Sequence, residues 1–112
     1  MSAQPNPAPS LDGRRFDGIV LERGKCAGDA DSLIFEGGRF RSTACDRYGY
    51  GDGAYTTTHA AGEIAFEAET VSPRYGTLRW RGVVRGPRLD GTLTMVRGDV
   101  VLIEKWVLAG QV

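Results

Sequence analysis

The sequence predicts an all-β domain, an eight-stranded antiparallel up-and-down β-barrel, and three observations predict it. The first is alternation in residues 75–96, YGTLRWRGVVRGPRLDGTLTMV. Leu78, Trp80, Gly82 and Val84 share one face of a strand, while Arg79, Arg81 and Arg85 share the other. After Gly86-Pro87 the pattern resumes with Leu89, Gly91, Leu93 and Met95. Glycine supplies a positive φ at the first loop position, and proline fits the second, where no amide need donate. The second observation is 16 glycines in 112 residues, about twice the usual share of about 7%, with no long window of helix formers. The third is a succession of short strand-like runs joined by short turns without a long crossover. Neighbours in sequence are then neighbours in space, and eight such strands can close so that no edge remains.

Residues 1–10 carry three prolines and no apolar run, which predicts a disordered lead-in before a single barrel domain over residues 11–112. The first strand is expected at residues 14–22. Its faces are ambiguous, because Phe16, Gly18 and Val20 compete with Ile19 and Leu21. Residues 23–31 read as a polar loop. A tight hairpin follows, residues 33–36 and 39–45 about Gly37-Gly38, a dipeptide suited to a two-residue primed turn. It sets Phe35 opposite Phe40 and Leu33 opposite Ser42, all inward.

Residues 46–53 (DRYGYGDG) are the least regular internal stretch. A Thr-rich strand at residues 55–59 and a turn at residues 60–62 lead to residues 63–70. There Ile64, Phe66 and Ala68 alternate with Glu63, Glu67 and Glu69. Ser72-Pro73 opens the next loop, the hairpin about Gly86-Pro87 follows, and a turn at residues 97–99 precedes the last strand, residues 100–108.

Register is over-determined in the centre of the chain. Val84 should face Leu89, Gly82 face Gly91, Trp80 face Leu93 and Leu78 face Met95, so that inner residues meet inner residues. On the other side Glu63, Glu67 and Glu69 should meet Arg85, Arg81 and Arg79, which lays Phe66 over Gly82.

Composition removes several functions. Lys+Arg and Asp+Glu number 14 each, so no basic excess favours a nucleic-acid partner. The longest apolar run, residues 100–103, is far too short for a membrane span. The one histidine, His59, sits at a strand end and reads as a solvent-exposed turn residue, not as the base of a catalytic triad. Cys26, Cys45, Asp29, Asp31 and His59 lack the paired spacing of a structural zinc site, so no metal and no cofactor is expected. Glu67 and Glu69 point outward beside arginines, as surface ion pairs do, and not inward as a glycosidase pair.

Residues 33–35, 38–42, 66–68, 76–82 and 89–92, with Cys45, resemble the calycin-type barrels, the lipocalin and avidin relatives. More closely, they resemble small bacterial lipocalin-like proteins without an assigned activity. That resemblance implies a lipocalin/avidin-like barrel and, in many members, export. Gly13-Arg14-Arg15-Phe16 stands where lipocalins carry Gly-x-Trp, and two tryptophans cannot build a biotin ring. No retinoid or biotin site is therefore implied.

Arg47, Tyr48, Tyr50 and Tyr55 are the candidate contact residues, because amphipathic rings on a Gly-rich loop can line a small pocket or dock a partner. Trp80 and Trp106 are further candidates, with a core role as the bland alternative. Cys26 and Cys45 are the disulfide candidates; an even count permits a bridge, and two free thiols would show the same spacing. The expected function is a non-enzymatic binding barrel that holds a small apolar or amphipathic molecule inside or at its Tyr-rich mouth. The alternative is an accessory protein with a solid barrel that meets a protein partner through loops or outer surface. The chain as given has no export signal. Ala3-Gln4-Pro5 after Met1-Ser2 nevertheless suits a processed protein, so a periplasmic or secreted location is expected, with the cytoplasm as the alternative.

Overall fold

A computed structural model describes residues 11–22 and 28–112. The chain forms a closed barrel of eight antiparallel strands in sequence order. They are β1 (Arg14–Glu22), β2 (Asp29–Glu36), β3 (Arg39–Ser42), β4 (Asp52–Ala60), β5 (Glu63–Ser72), β6 (Gly76–Arg85), β7 (Arg88–Arg97) and β8 (Val100–Gln111). Closure is made by β1 on β8, from Phe16 facing Gln111 to Glu22 facing Lys105. The expected lead-in at residues 1–10, and residues 23–27 of the expected first loop, lie outside the described residues. Asp29 to Asp31, assigned to that loop from sequence, are instead strand.

The expected pairings hold throughout the centre. Val84 faces Leu89, Gly82 faces Gly91, Trp80 faces Leu93 and Leu78 faces Met95. Phe66 faces Gly82, and Glu63, Glu67 and Glu69 face Arg85, Arg81 and Arg79. Two of the resulting outer ion pairs measure 3.1 Å (Arg79–Glu69) and 3.2 Å (Arg81–Glu67), with all four side chains more than half exposed. Each contributes only about 0.2–1 kcal/mol, so the ladder selects register more than it stabilises. Gly37 and Gly38 both take positive φ (58° and 74°) between Glu36 and Arg39, and Phe35 faces Phe40 as the primed turn demands.

The ambiguity in β1 resolves in favour of Phe16, Gly18 and Val20 inward, with Ile19 left 40% exposed. Position 18 has no room for a side chain. A β-carbon there would fall 2.0 Å from the Leu108 carbonyl oxygen across the seam with β8.

One end of the barrel carries the turns at residues 37–38, 61–62 and 86–87 and is filled solid. Phe35 is the hub, with ring centroids 5.9 Å from Phe16, 5.1 Å from Phe40, 5.0 Å from Tyr55 and 5.1 Å from Phe66. Trp80 packs on Phe40 at 4.9 Å. Leu11, fully buried, is part of the same core. Edge-to-face rings of this kind bury large area in defined geometry. The other end, where residues 43–51, 73–75 and 98–99 connect the strands, is the mouth.

The last hairpin carries an irregularity. Val96 faces Val101 but Met95 faces Ile103, so Leu102 is an extra residue on β8. A one-residue slip moves every following side chain to the opposite face. Beyond the slip Lys105, Val107 and Ala109 take the inner positions, while Trp106 and Leu108 lie 43% and 42% exposed.

Candidate functional site

The half of the barrel that the aromatic core leaves unfilled holds a cavity of about 500 Å³. Its walls are apolar where Val20, Leu78, Leu93 and Met95 project from β1, β6 and β7. Its rim is built by the segment after β3, a short 3₁₀ helix, Thr43–Tyr48, whose first three residues the sequence reading placed in the strand and whose last three it left irregular. The difference arises from local ion pairing. Arg41 at the end of β3 grips the Asp46 carboxylate (Nε to Oδ2 2.8 Å), five residues on, which tightens the intervening backbone into a turn.

Two buried polar side chains hold this rim in place. Asp31, on the inner face of β2 and 8% exposed, accepts from the Ser42 hydroxyl and from the Ala44 amide (3.1 Å). It therefore fixes the start of the 3₁₀ helix. Burial raises the Asp31 carboxyl above its ordinary range, and the bonds from Ser42 and Ala44 pull back only part of that rise. Ser72, at the end of β5, donates to the Tyr48 carbonyl (2.8 Å) and accepts from the amides of Arg74 and Tyr75 (3.3 Å each). One hydroxyl thus ties the 3₁₀ helix to the turn between β5 and β6.

That tie brings three tyrosines together. Tyr75 meets Tyr48 edge-on at 5.8 Å and stacks on Tyr50 at 6.5 Å. Tyr48 is 42% exposed, and Arg47 lies over its ring at 5.0 Å. Tyr50 is only 5% exposed. Its hydroxyl is the buried side-chain polar atom that, among the described residues, finds no hydrogen-bond partner. Burial pushes that hydroxyl above the ordinary phenol range.

Of the residues singled out from sequence, Arg47, Tyr48, Tyr50 and Cys45 all line this cavity. The contact candidates Tyr55, Trp80 and Trp106 do not. Tyr55 lies at the solid end, where its hydroxyl bonds Asp12 and receives the Leu11 amide (3.1 Å). It was placed at the mouth because it follows the Gly-rich segment, but β4 runs away from the mouth. Trp80 is core, 1% exposed, and its indole N–H donates to Thr70 (3.3 Å). Trp106 faces out, because of the extra residue at Leu102. The expected partner of Cys45, Cys26, lies outside the described residues. Cys45 itself is half-buried, and its thiol is pushed up by that burial, with Ser42 and the Lys105 ammonium pulling the other way.

Two lining residues escaped the sequence reading, Tyr75 and Lys105. The signal for Lys105 was present in the alternation of Ile103, Lys105 and Val107, but only a bulge could make that set the inner one. His59 is exposed at the end of β4, remote from the mouth. Among the described residues no three of His, Cys, Asp and Glu cluster as metal ligands, and no helix is long and apolar enough to cross a membrane. No protein-family model, curated protein or solved structure matches this chain significantly.

Proposed function

We propose that the protein is a lipocalin-like, non-enzymatic binding barrel that holds a small apolar or amphipathic molecule in its open half, beneath the Tyr48–Tyr50–Tyr75 rim. The observation that carries this reading is the cavity of about 500 Å³ with Val20, Leu78, Leu93 and Met95 in its walls. Small-molecule sites are concave, mostly apolar and about 300–1,000 Å³ in volume, with few polar groups to set orientation. A barrel built only to present its surface would gain stability by filling that space. Binding without turnover fits the chemistry of the walls. The single imidazole is elsewhere, and Cys45 is a poor nucleophile in either state, since burial keeps its free thiol protonated and a bridge to Cys26 would leave it none.

The test is equilibrium binding of N-phenyl-1-naphthylamine, an uncharged dye whose emission rises in apolar surroundings. The wild type should bind it with one site per chain, and Met95→Trp, which fills the cavity, should lose it. Binding that survives Met95→Trp, or no binding by the wild type, overturns the reading.

A second reading has one observation in its favour. Trp106 and Leu108 on β8 face Leu21 and Ile19 on β1, and Ile19, Trp106 and Leu108 are each at least 40% exposed. Contiguous outer apolar residues with a tryptophan are what a protein-binding surface uses. On that reading Trp106→Ser abolishes partner capture and leaves dye binding intact.

A further inference from the structure

Lys105 is the cationic side chain that β8 turns inward. It stands on the inner phase with Val107, faces Leu93 across the sheet and lines the cavity. Among the described residues its ammonium has neither an ion pair nor a hydrogen bond, unlike the outer arginines of β6, which are matched to glutamates. An amine half-buried against an apolar wall without a counter-ion is an unfilled electrostatic requirement.

The other charged groups on the wall are already engaged or at the edge. Asp31 accepts at both oxygens, Oδ2 from Ser42 and Oδ1 from Ala44. The Arg47 guanidinium lies over the Tyr48 ring, and Asp29 is exposed at the rim. A second, independent observation points the same way. Tyr50 lines the same cavity and is nineteen-twentieths buried, and its hydroxyl is buried with no partner among the described residues. It leaves one O–H donor for an acceptor that the protein does not supply.

We propose that the ligand is an amphipathic monoanion, a ring- or chain-sized apolar body with one carboxylate, sulfonate or sulfate head. This rests on the binding reading above and deepens it. The apolar body lies against Val20, Leu78, Leu93 and Met95. The head pairs with the Lys105 ammonium, and the Tyr50 hydroxyl donates to an oxygen of the same molecule. Charge-assisted bonds of this kind are about twice as strong as neutral ones. They also set orientation, with the head toward β8 and the rim and the body toward the aromatic core.

Two dyes of matched rings separate this proposal from the one it rests on. N-phenyl-1-naphthylamine is neutral, and 1-anilinonaphthalene-8-sulfonate adds one anionic head. Lys105→Met should weaken sulfonate-dye binding about tenfold or more and leave the neutral dye within twofold. Lys105→Arg should restore most of the loss. Tyr50→Phe, which keeps the ring, should weaken the sulfonate dye about threefold. Retained neutral-dye binding shows that each variant is folded with its cavity intact. If Lys105→Met binds both dyes as the wild type does, the anion anchor is wrong while the binding barrel stands. If the wild type binds neither dye, both proposals fall together.

Discussion

Phe66 lies across the inner surface of Gly82. A β-carbon added to Gly82 would stand 2.6 Å from the Phe66 Cε1 and 3.0 Å from the Asp90 carbonyl oxygen. Gly91, directly opposite Gly82, is closed by backbone instead, since a β-carbon there would fall 2.3 Å from the Arg81 carbonyl oxygen. The ring therefore stands in for the missing side chain of Gly82, and it does so while touching Phe35 and Phe40. Phe66→Ala should cost about 3–5 kcal/mol, as loss of a buried ring does. Gly82→Ala should cost about 1–3 kcal/mol, because the ring has to move within a packed cluster. Urea unfolding measures both, and a Gly82→Ala variant as stable as the wild type would refute the packing argument.

The phase of β8 can be read from tryptophan emission. Trp106 faces water and Trp80 is 1% exposed. Acrylamide should quench Trp106 readily and Trp80 hardly at all, so Trp106→Phe should leave a blue-shifted, unquenched emission. Val107→Ala should cost about 1–3 kcal/mol as a buried truncation. Equal quenching of both rings would contradict the register slip at Leu102.

Asp31 gives stability a defined pH dependence. Burial raises its folded pKa above the unfolded value, so protonation favours the folded state. That contribution is fully present below the unfolded value of about 3.9 and is lost as pH rises through the folded pKa. Asp31→Asn keeps a carbonyl acceptor for the Ala44 amide and reverses the other bond, its NH2 donating to the Ser42 hydroxyl, without the buried charge. It should melt higher than the wild type at pH 7, with the gap closing near pH 3.5. A gap that does not change with pH would show that Asp31 ionisation is not what the wild type resists.

Tyr55 ties the start of the domain to its solid end through Asp12 and the Leu11 amide. Tyr55→Phe keeps the ring on Phe35 and removes those bonds. It should cost about 1 kcal/mol while leaving dye binding at the mouth unchanged. A loss of dye binding would return Tyr55 to the site.

Cys45 sits where the rim begins, and a bridge to Cys26 would close a loop of about 20 residues and stabilise by roughly 3 kcal/mol. Thiol titration of the denatured, unreduced protein should then find no free thiol, as expected of a periplasmic or secreted protein. Two titratable thiols would end that pairing and favour a reducing compartment.

The amino-acid sequence by itself determined the barrel, its strand order and its central register. The reason is that alternation has period two, and each two-residue turn sets the parity of the next strand. Between residues 63 and 96 both faces carry information, apolar inside and matched charges outside, so only one pairing satisfies them. The phase of β8 was decided by tertiary structure. Its residues 100–108 are apolar on both faces, so parity cannot be read from them, and one extra residue at Leu102 exchanged Trp106 for Lys105 on the inner wall. The cavity was equally a tertiary matter. Whether a barrel is filled depends on how far the rings of Phe16, Phe35, Phe40, Phe66 and Trp80 reach along its axis. They crowd into one end, and Asp31 and Ser72, two buried polar residues that look unremarkable in the chain, hold the rim over the other.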